Sequence, residues 1–107
     1  MRITVPTARV LAVLLADPQA DRYGLDIMQD TGLPSGTLYP ILHRLQEAGW
    51  LASHWELIDP VRESRPARRY YRLTAEGARQ AQQALAELHA QTVPLAKDGK
   101  RSARPAW

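Results

Sequence analysis

Between Pro6 and Ala16 the chain is apolar at nearly every position: Ala8, Val10, Leu11, Ala12, Val13, Leu14, Leu15 and Ala16 are broken only by Thr7 and Arg9. Pro6 suits a first helical turn and Asp17-Pro18 supplies a stop, so residues 6–16 read as a helix. A helix apolar on every side must be covered on more than one face. A small domain covers one, and a second copy of the chain is the economical cover for the other. Residues 17–22 read as a polar loop. A second helix over residues 23–31 carries Leu25, Ile27 and Met28 and ends at Gly32, a residue suited to a left-handed terminator. A third, over residues 35–48, repeats Leu38, Ile41, Leu42 and Leu45 at i, i+3, i+4 and i+7, which turns that stripe to the core. Pro40 is tolerable only near a helix start, which favours Thr37 over Ser35 as the cap. The opposite face presents Gly36, Tyr39, Pro40, His43 and Glu47, with Thr37 and Arg44 on its flank.

The period then changes. Residues 51–58 alternate imperfectly, with Leu51, Trp55 and Leu57 on one side, and predict a strand. Residues 59–67 contain Asp-Pro and Arg-Pro and predict a loop. Residues 68–73 predict the return strand, with Tyr71 and Leu73 on one face and Trp55 as their cross-strand neighbour. Thr74 caps a last helix that runs to about Val93, before Pro94, with Gly77 in its first turn. Within it Ala78, Ala81, Leu85, Leu88 and Thr92 form an a/d seam over two heptads. Beside the apolar first helix, that seam favours a homodimer interface built from Val10, Leu11, Leu14, Ala81, Leu85 and Leu88. The expected fold is mainly α with a small antiparallel β wing: a winged helix-turn-helix over residues 1–74 and a C-terminal dimerisation helix over residues 75–94. Residues 95–107 lack periodicity and are expected to form a disordered basic tail.

Charge sharpens this picture more than composition does. The net charge is only +3, but residues 51–75 hold five Arg against three acids, and residues 94–107 hold Lys97, Lys100, Arg101 and Arg104 against Asp98. Positive charge in a wing and a tail is the expected electrostatic footprint for phosphates. The chain has no cysteine and no apolar run long enough for a membrane, so disulfides, thiolate metal sites and membrane insertion are not expected. His43, His54 and His89 lack metal-ligand spacing, and no phosphate-binding Gly-rich loop or nucleophile–base pair occurs. Glu47, Glu56, Asp26 and Asp30 read as ordinary surface charges. No cofactor, metal or catalytic activity is expected.

The segments SGTLYPILHRLQEAGWL (35–51), HWE (54–56) and RRYYRLTAEG (68–77), preceded by YGLDI (23–27), resemble the PadR family of bacterial transcriptional regulators. The resemblance covers roughly half the chain. It implies a homodimeric winged helix whose long C-terminal helix packs on the partner's first helix. It also implies a cytoplasmic repressor acting at palindromic promoter sites. The chain departs from many members in its shorter connection before residue 35 and in its single C-terminal helix. The second departure places it with the short forms and argues against a large ligand-binding C-terminal domain.

Side-chain chemistry then distributes the expected DNA contacts. Ser35, Gly36 and Thr37 offer hydroxyls or a helix N-terminus to a phosphate. Tyr39 and His43 reach phosphates or base edges, while Pro40 and the Thr37 methyl suit a thymine methyl. Arg44 is placed for the DNA backbone, and Arg65, Arg68 and Arg69 for phosphates or the minor groove. Tyr70, Tyr71, Leu73 and Trp55 read as the core of the wing. Trp50 and Trp55 read as hydrophobic anchors at the helix–strand junction, the other reading being an aromatic pocket for a small-molecule effector at the dimer interface. The alternative function is a winged helix that docks on a protein rather than on DNA, which an acidic or apolar reading face would favour.

Overall fold

A computed structural model describes the backbone of residues 1–103 and the side chains of residues 1–91. The chain runs α1 (Val5–Ala16), β1 (Arg22–Tyr23), α2 (Gly24–Thr31), α3 (Ser35–Glu47), β2 (Leu51–Trp55), α4 (Pro60–Glu63), β3 (Arg69–Leu73) and α5 (Ala75–Ala103). It is mainly helical, with one small antiparallel sheet in the order β1-β3-β2, as a winged helix requires.

The core forms where the helical and strand patterns converge. Val10, Leu11 and Leu14 of α1, Ile27 of α2, and Leu38, Ile41, Leu42 and Leu45 of α3 meet Leu51, Tyr71, Leu73 and Ala81. The α1 residues therefore face inward within one chain. Val10 and Leu11 are 0% exposed and Leu14 is 2% exposed, as Ala81 is fully buried on α5. This corrects the expectation that Val10, Leu11, Leu14 and Ala81 form a face for a second copy, because α5 folds back on α1 of the same chain. What remains open is a groove of about 500 Å³ between the two helices, lined by Val5, Ala8, Ala12, Leu85 and Leu88, with Arg9 and His89 also on its walls.

Local chemistry sets the helix ends. Thr4 caps α1 by accepting the Thr7 amide at 3.3 Å. Gly32 ends α2 in the left-handed region at φ 73°, and the Thr31 hydroxyl donates back to the Ile27 carbonyl at 2.6 Å. α3 begins earlier than the position of Pro40 suggested: its cap is Pro34, whose carbonyl accepts from Thr37 and Leu38, rather than Thr37 or Ser35. Pro40 has no N–H for the carbonyl four residues back, but that residue is Gly36, which is exposed, so its carbonyl is open to water. Thr74 does cap α5, accepting the Gly77 amide at 2.9 Å while donating to the Gly49 carbonyl at 2.8 Å. Gly77 is required there by space, since a Cβ would lie 1.8 Å from the Trp50 carbonyl oxygen.

Three further differences concern the sheet and the C-terminus. Arg22, expected in a loop, and Tyr23, expected to begin the second helix, form the short edge strand β1, paired to Tyr71 and Tyr70. Two residues are too few to show a period. β2 stops at Trp55, and the register sets Leu51 opposite Leu73, Ser53 opposite Tyr71 and Trp55 opposite Arg69. Trp55 is thus neither a neighbour of Tyr71 nor a core residue of the wing; it is 58% exposed. Finally, α5 continues through Pro94 to Ala103, so residues 95–103 are helical rather than irregular. The rest of the expected tail, residues 104–107, lies outside the described residues, as does the Thr92 side chain of the expected seam.

Candidate nucleic-acid interface

α3 is divided as its periodicity predicts. Leu38, Ile41, Leu42 and Leu45 are buried, whereas Ser35, Gly36, Tyr39, Pro40, His43 and Arg44 are exposed and Thr37 is half-buried. The exposed face carries hydroxyl, imidazole and guanidinium groups. His43 stands 3.7 Å from Glu47 one turn on. Tyr39 does not simply project outward: its ring lies against the start of α2, where a Cβ on Gly24 would be 2.4 Å from the Tyr39 Oη.

Beside α3 the wing presents Arg68 and Arg69, both exposed. The Arg68 guanidinium sits 4.9 Å from the centre of the Tyr23 ring. Arg69 lies 5.3 Å from the Trp55 ring and donates from Nε and Nη2 to the Ser53 hydroxyl at 3.0 and 2.7 Å. For Arg68, stacking of this kind orients the guanidinium while leaving its edge donors for an anion, whereas two donors of Arg69 are engaged by Ser53. The Tyr39, Arg68 and Arg69 positions converge on one cleft of about 260 Å³ between α3, the start of α2 and β3.

Arg65 behaves differently from its expected role. Its Nη1 and Nη2 donate to the two carboxylate oxygens of Glu56 at 2.6 and 3.1 Å, so its donors are turned into the wing. Glu56, read from sequence as a surface charge, is the centre of the wing. It also accepts from the Arg68 amide at 3.3 Å and from the Tyr23 and Tyr70 hydroxyls at 3.3 and 3.4 Å, while its own amide donates to the Arg68 carbonyl at 2.8 Å. The hydrogen bonds from Arg65 hold its carboxyl at about 2, well below the ordinary 4.5. The Tyr23 and Tyr70 rings stack at 4.3 Å and their hydroxyls bond to each other. That bond, with burial, pushes the Tyr70 phenol up to about 12. His54 stacks on the other side of Tyr70 at 5.2 Å, with its Nε2 3.6 Å from Asp21.

Asp26 and Asp30 are likewise engaged. Asp26 accepts the Tyr23 amide at 3.2 Å at the start of α2, and Asp30 pairs with Arg22 at 2.8 Å. The two tryptophans expected to act together sit at the two ends of β2. Trp50 is half-buried against the core, and Trp55 is on the wing surface. Among the described residues no cluster of His, Asp or Glu has the makings of a metal site, and no helix is long and apolar enough to cross a membrane. Tyr23, Gly24 and Glu56 are the site residues that sequence reading missed. Only Gly24 carried a local signal, a glycine at a helix start that has no need of one.

A family model described as the transcriptional regulator PadR-like family matches residues 10–83. A PadR family transcriptional regulator from Eggerthella lenta is 32% identical, with a TM-score of 0.65 over 82% of this chain and 78% of that one. A PadR-like transcription factor from Bacteroides fragilis is 27% identical, with a TM-score of 0.61 over 89% and 86%. Bacillus subtilis PadR, solved in complex with operator DNA, shares the fold at 17% identity and a TM-score of 0.63, over 78% of this chain and 48% of its own. No curated protein sequence matches the chain.

Proposed function

The chain belongs to the transcriptional regulator PadR-like family, and we propose that it is a homodimeric repressor that binds double-stranded operator DNA in the bacterial cytoplasm. The observation that carries the reading is the division of α3. One face is buried as a leucine/isoleucine stripe, and the other offers Ser35, Tyr39, Pro40, His43 and Arg44 beside the exposed Arg68 and Arg69. Further support comes from the fold it shares with a PadR solved on operator DNA.

In this reading α3 enters the major groove. Ser35, Gly36 and Thr37 approach a phosphate, Tyr39 and His43 reach base edges or phosphates, Pro40 and the Thr37 methyl meet thymine methyls, and Arg44 meets the backbone. Arg68 and Arg69 neutralise phosphates alongside, whereas Arg65 serves the wing through Glu56. Residues 1–74 carry the DNA contacts, and α5 with the outer face of α1 carries the dimer contacts. The second copy covers the groove between α1 and α5 lined by Val5, Ala8, Ala12, Leu85 and Leu88, taking the place of the inward-facing residues. Two copies set their α3 helices about 34 Å apart on a pseudo-palindrome. A small molecule or partner that alters this spacing releases the operator.

Fluorescence-anisotropy titration with the DNA upstream of its own gene tests the reading. Affinity should fall steeply with salt. Replacing Arg68 and Arg69 together by Ala should weaken binding to all sequences and flatten the salt slope by about four, two for each protomer of the dimer. No binding at low salt overturns it. Sedimentation equilibrium should show a dimer that Ala12→Glu converts to a folded monomer, because Ala12 is exposed in the single chain.

A further inference from the structure

Gly24 is the first residue of α2, and its φ is not among the positive glycine values, which belong to Gly32 and Gly49. Its backbone would accept any residue, and in a helix glycine is the less stable choice beside alanine. What demands glycine is space. A Cβ would stand 2.4 Å from the Tyr39 Oη and 2.9 Å from both Cε1 and Cζ. These atoms are the far end of a side chain that is 43% exposed, so a methyl group displaces the ring and leaves the helix in place. Gly77 is the contrasting case. Its Cβ would strike the Trp50 carbonyl carbon and oxygen, backbone atoms that cannot swing aside.

The Tyr39 ring thus held lines the same cleft as Arg68, with Tyr23 and Tyr71 on its walls. Arg68 is itself oriented by the Tyr23 ring. One donor comes from the helix proposed to lie in the groove and the other from the wing proposed to lie beside it. A phenol hydroxyl and a guanidinium bordering one cleft suit a single tetrahedral anion bearing several acceptors. We propose that Gly24 is a positioning residue for DNA binding: its missing side chain lets Tyr39 lie across the start of α2, where Tyr39 and Arg68 together take one backbone phosphate. The inference rests on the DNA-binding reading above.

A double-mutant cycle on the full chain tests it, by anisotropy with the upstream DNA and by thermal unfolding. Gly24→Ala is expected to weaken binding about a hundredfold, the scale of one charge-assisted hydrogen bond lost from each of the two protomers, with a melting temperature no lower than wild type. Tyr39→Ala should weaken binding by a similar factor, and the double variant should bind no more weakly than Tyr39→Ala alone. Additive losses, wild-type affinity in Gly24→Ala, or loss of cooperative unfolding in Gly24→Ala each overturn the proposal. A wild-type chain that binds no DNA removes the DNA reading and the proposal together, whereas binding with an additive cycle removes the proposal alone.

Discussion

α3 and the wing flank the same surface but are held by opposite means. α3 is fixed by Leu38, Ile41, Leu42 and Leu45, all at most 3% exposed, and by no side-chain ion pair to another element among the described residues. Beyond Leu51, Tyr71 and Leu73, which join the core, the outer part of the wing turns large apolar side chains to the outside. Leu57 is fully exposed and Trp55 and Val61 are largely so, while the loop is closed by the Glu56 carboxylate and its Arg65, Tyr23 and Tyr70 donors. Apolar burial is non-directional and indifferent to proton concentration. A carboxylate hub is directional and depends on charge. The same face is therefore rigid for two reasons that fail under different conditions.

The largest effect should come from the helix. Leu42→Ala is expected to cost about 2–5 kcal/mol by urea unfolding, with a single transition for α3 and wing together. A loss below about 1 kcal/mol would mean that the stripe is not what holds the helix. Next comes the hub. Glu56→Gln should leave the exchange of α3 amides unchanged and speed that of the Glu56 amide, which donates to Arg68. Uniform acceleration across both regions would erase the distinction.

Proton titration should separate them in the same way. Glu56, held at about 2 against an unfolded 4.5, stabilises the fold fully above about 4.5, and this contribution fades as pH falls toward 2. Tyr70, raised to about 12 from 10.0, contributes fully below about 10 and loses that contribution as pH rises toward 12. The wing amides should lose protection ahead of α3 at both extremes and show no titration from these groups between pH 5 and 9. The smallest effect belongs to Leu57→Ser. It should change stability by less than about 0.5 kcal/mol because the side chain touches no core.

The same contrast explains what could be read from the sequence. Leu38, Ile41, Leu42 and Leu45 announce their face by period alone, and Gly32 and Thr74 mark ends by chemistry confined to neighbouring residues. The family segments at 35–51 and 68–77 located the surface as a whole. The hub could not be read in this way, because Glu56 meets Tyr23 across 33 residues and Arg65 across nine, with no period linking them. Trp55 and Leu57 misled for the related reason that alternation names two faces without saying which is buried. Val10, Leu11 and Leu14 were read as facing a second copy, but they are covered within the same chain by the core that α1 shares with α2, α3, β3 and α5, and only the path of those elements could show that.

The contact between Gly77 and Trp50 also has a mechanical meaning. α5 spans 29 residues, about 44 Å at the usual helical rise, and its first turn is seated on the residue that starts the wing. It is a lever clamped at its root and braced along α1 through Ala81 and Leu85. Tilting it by a few degrees moves its far end by several ångströms, and a load at that end reaches the wing base multiplied by the length of the arm.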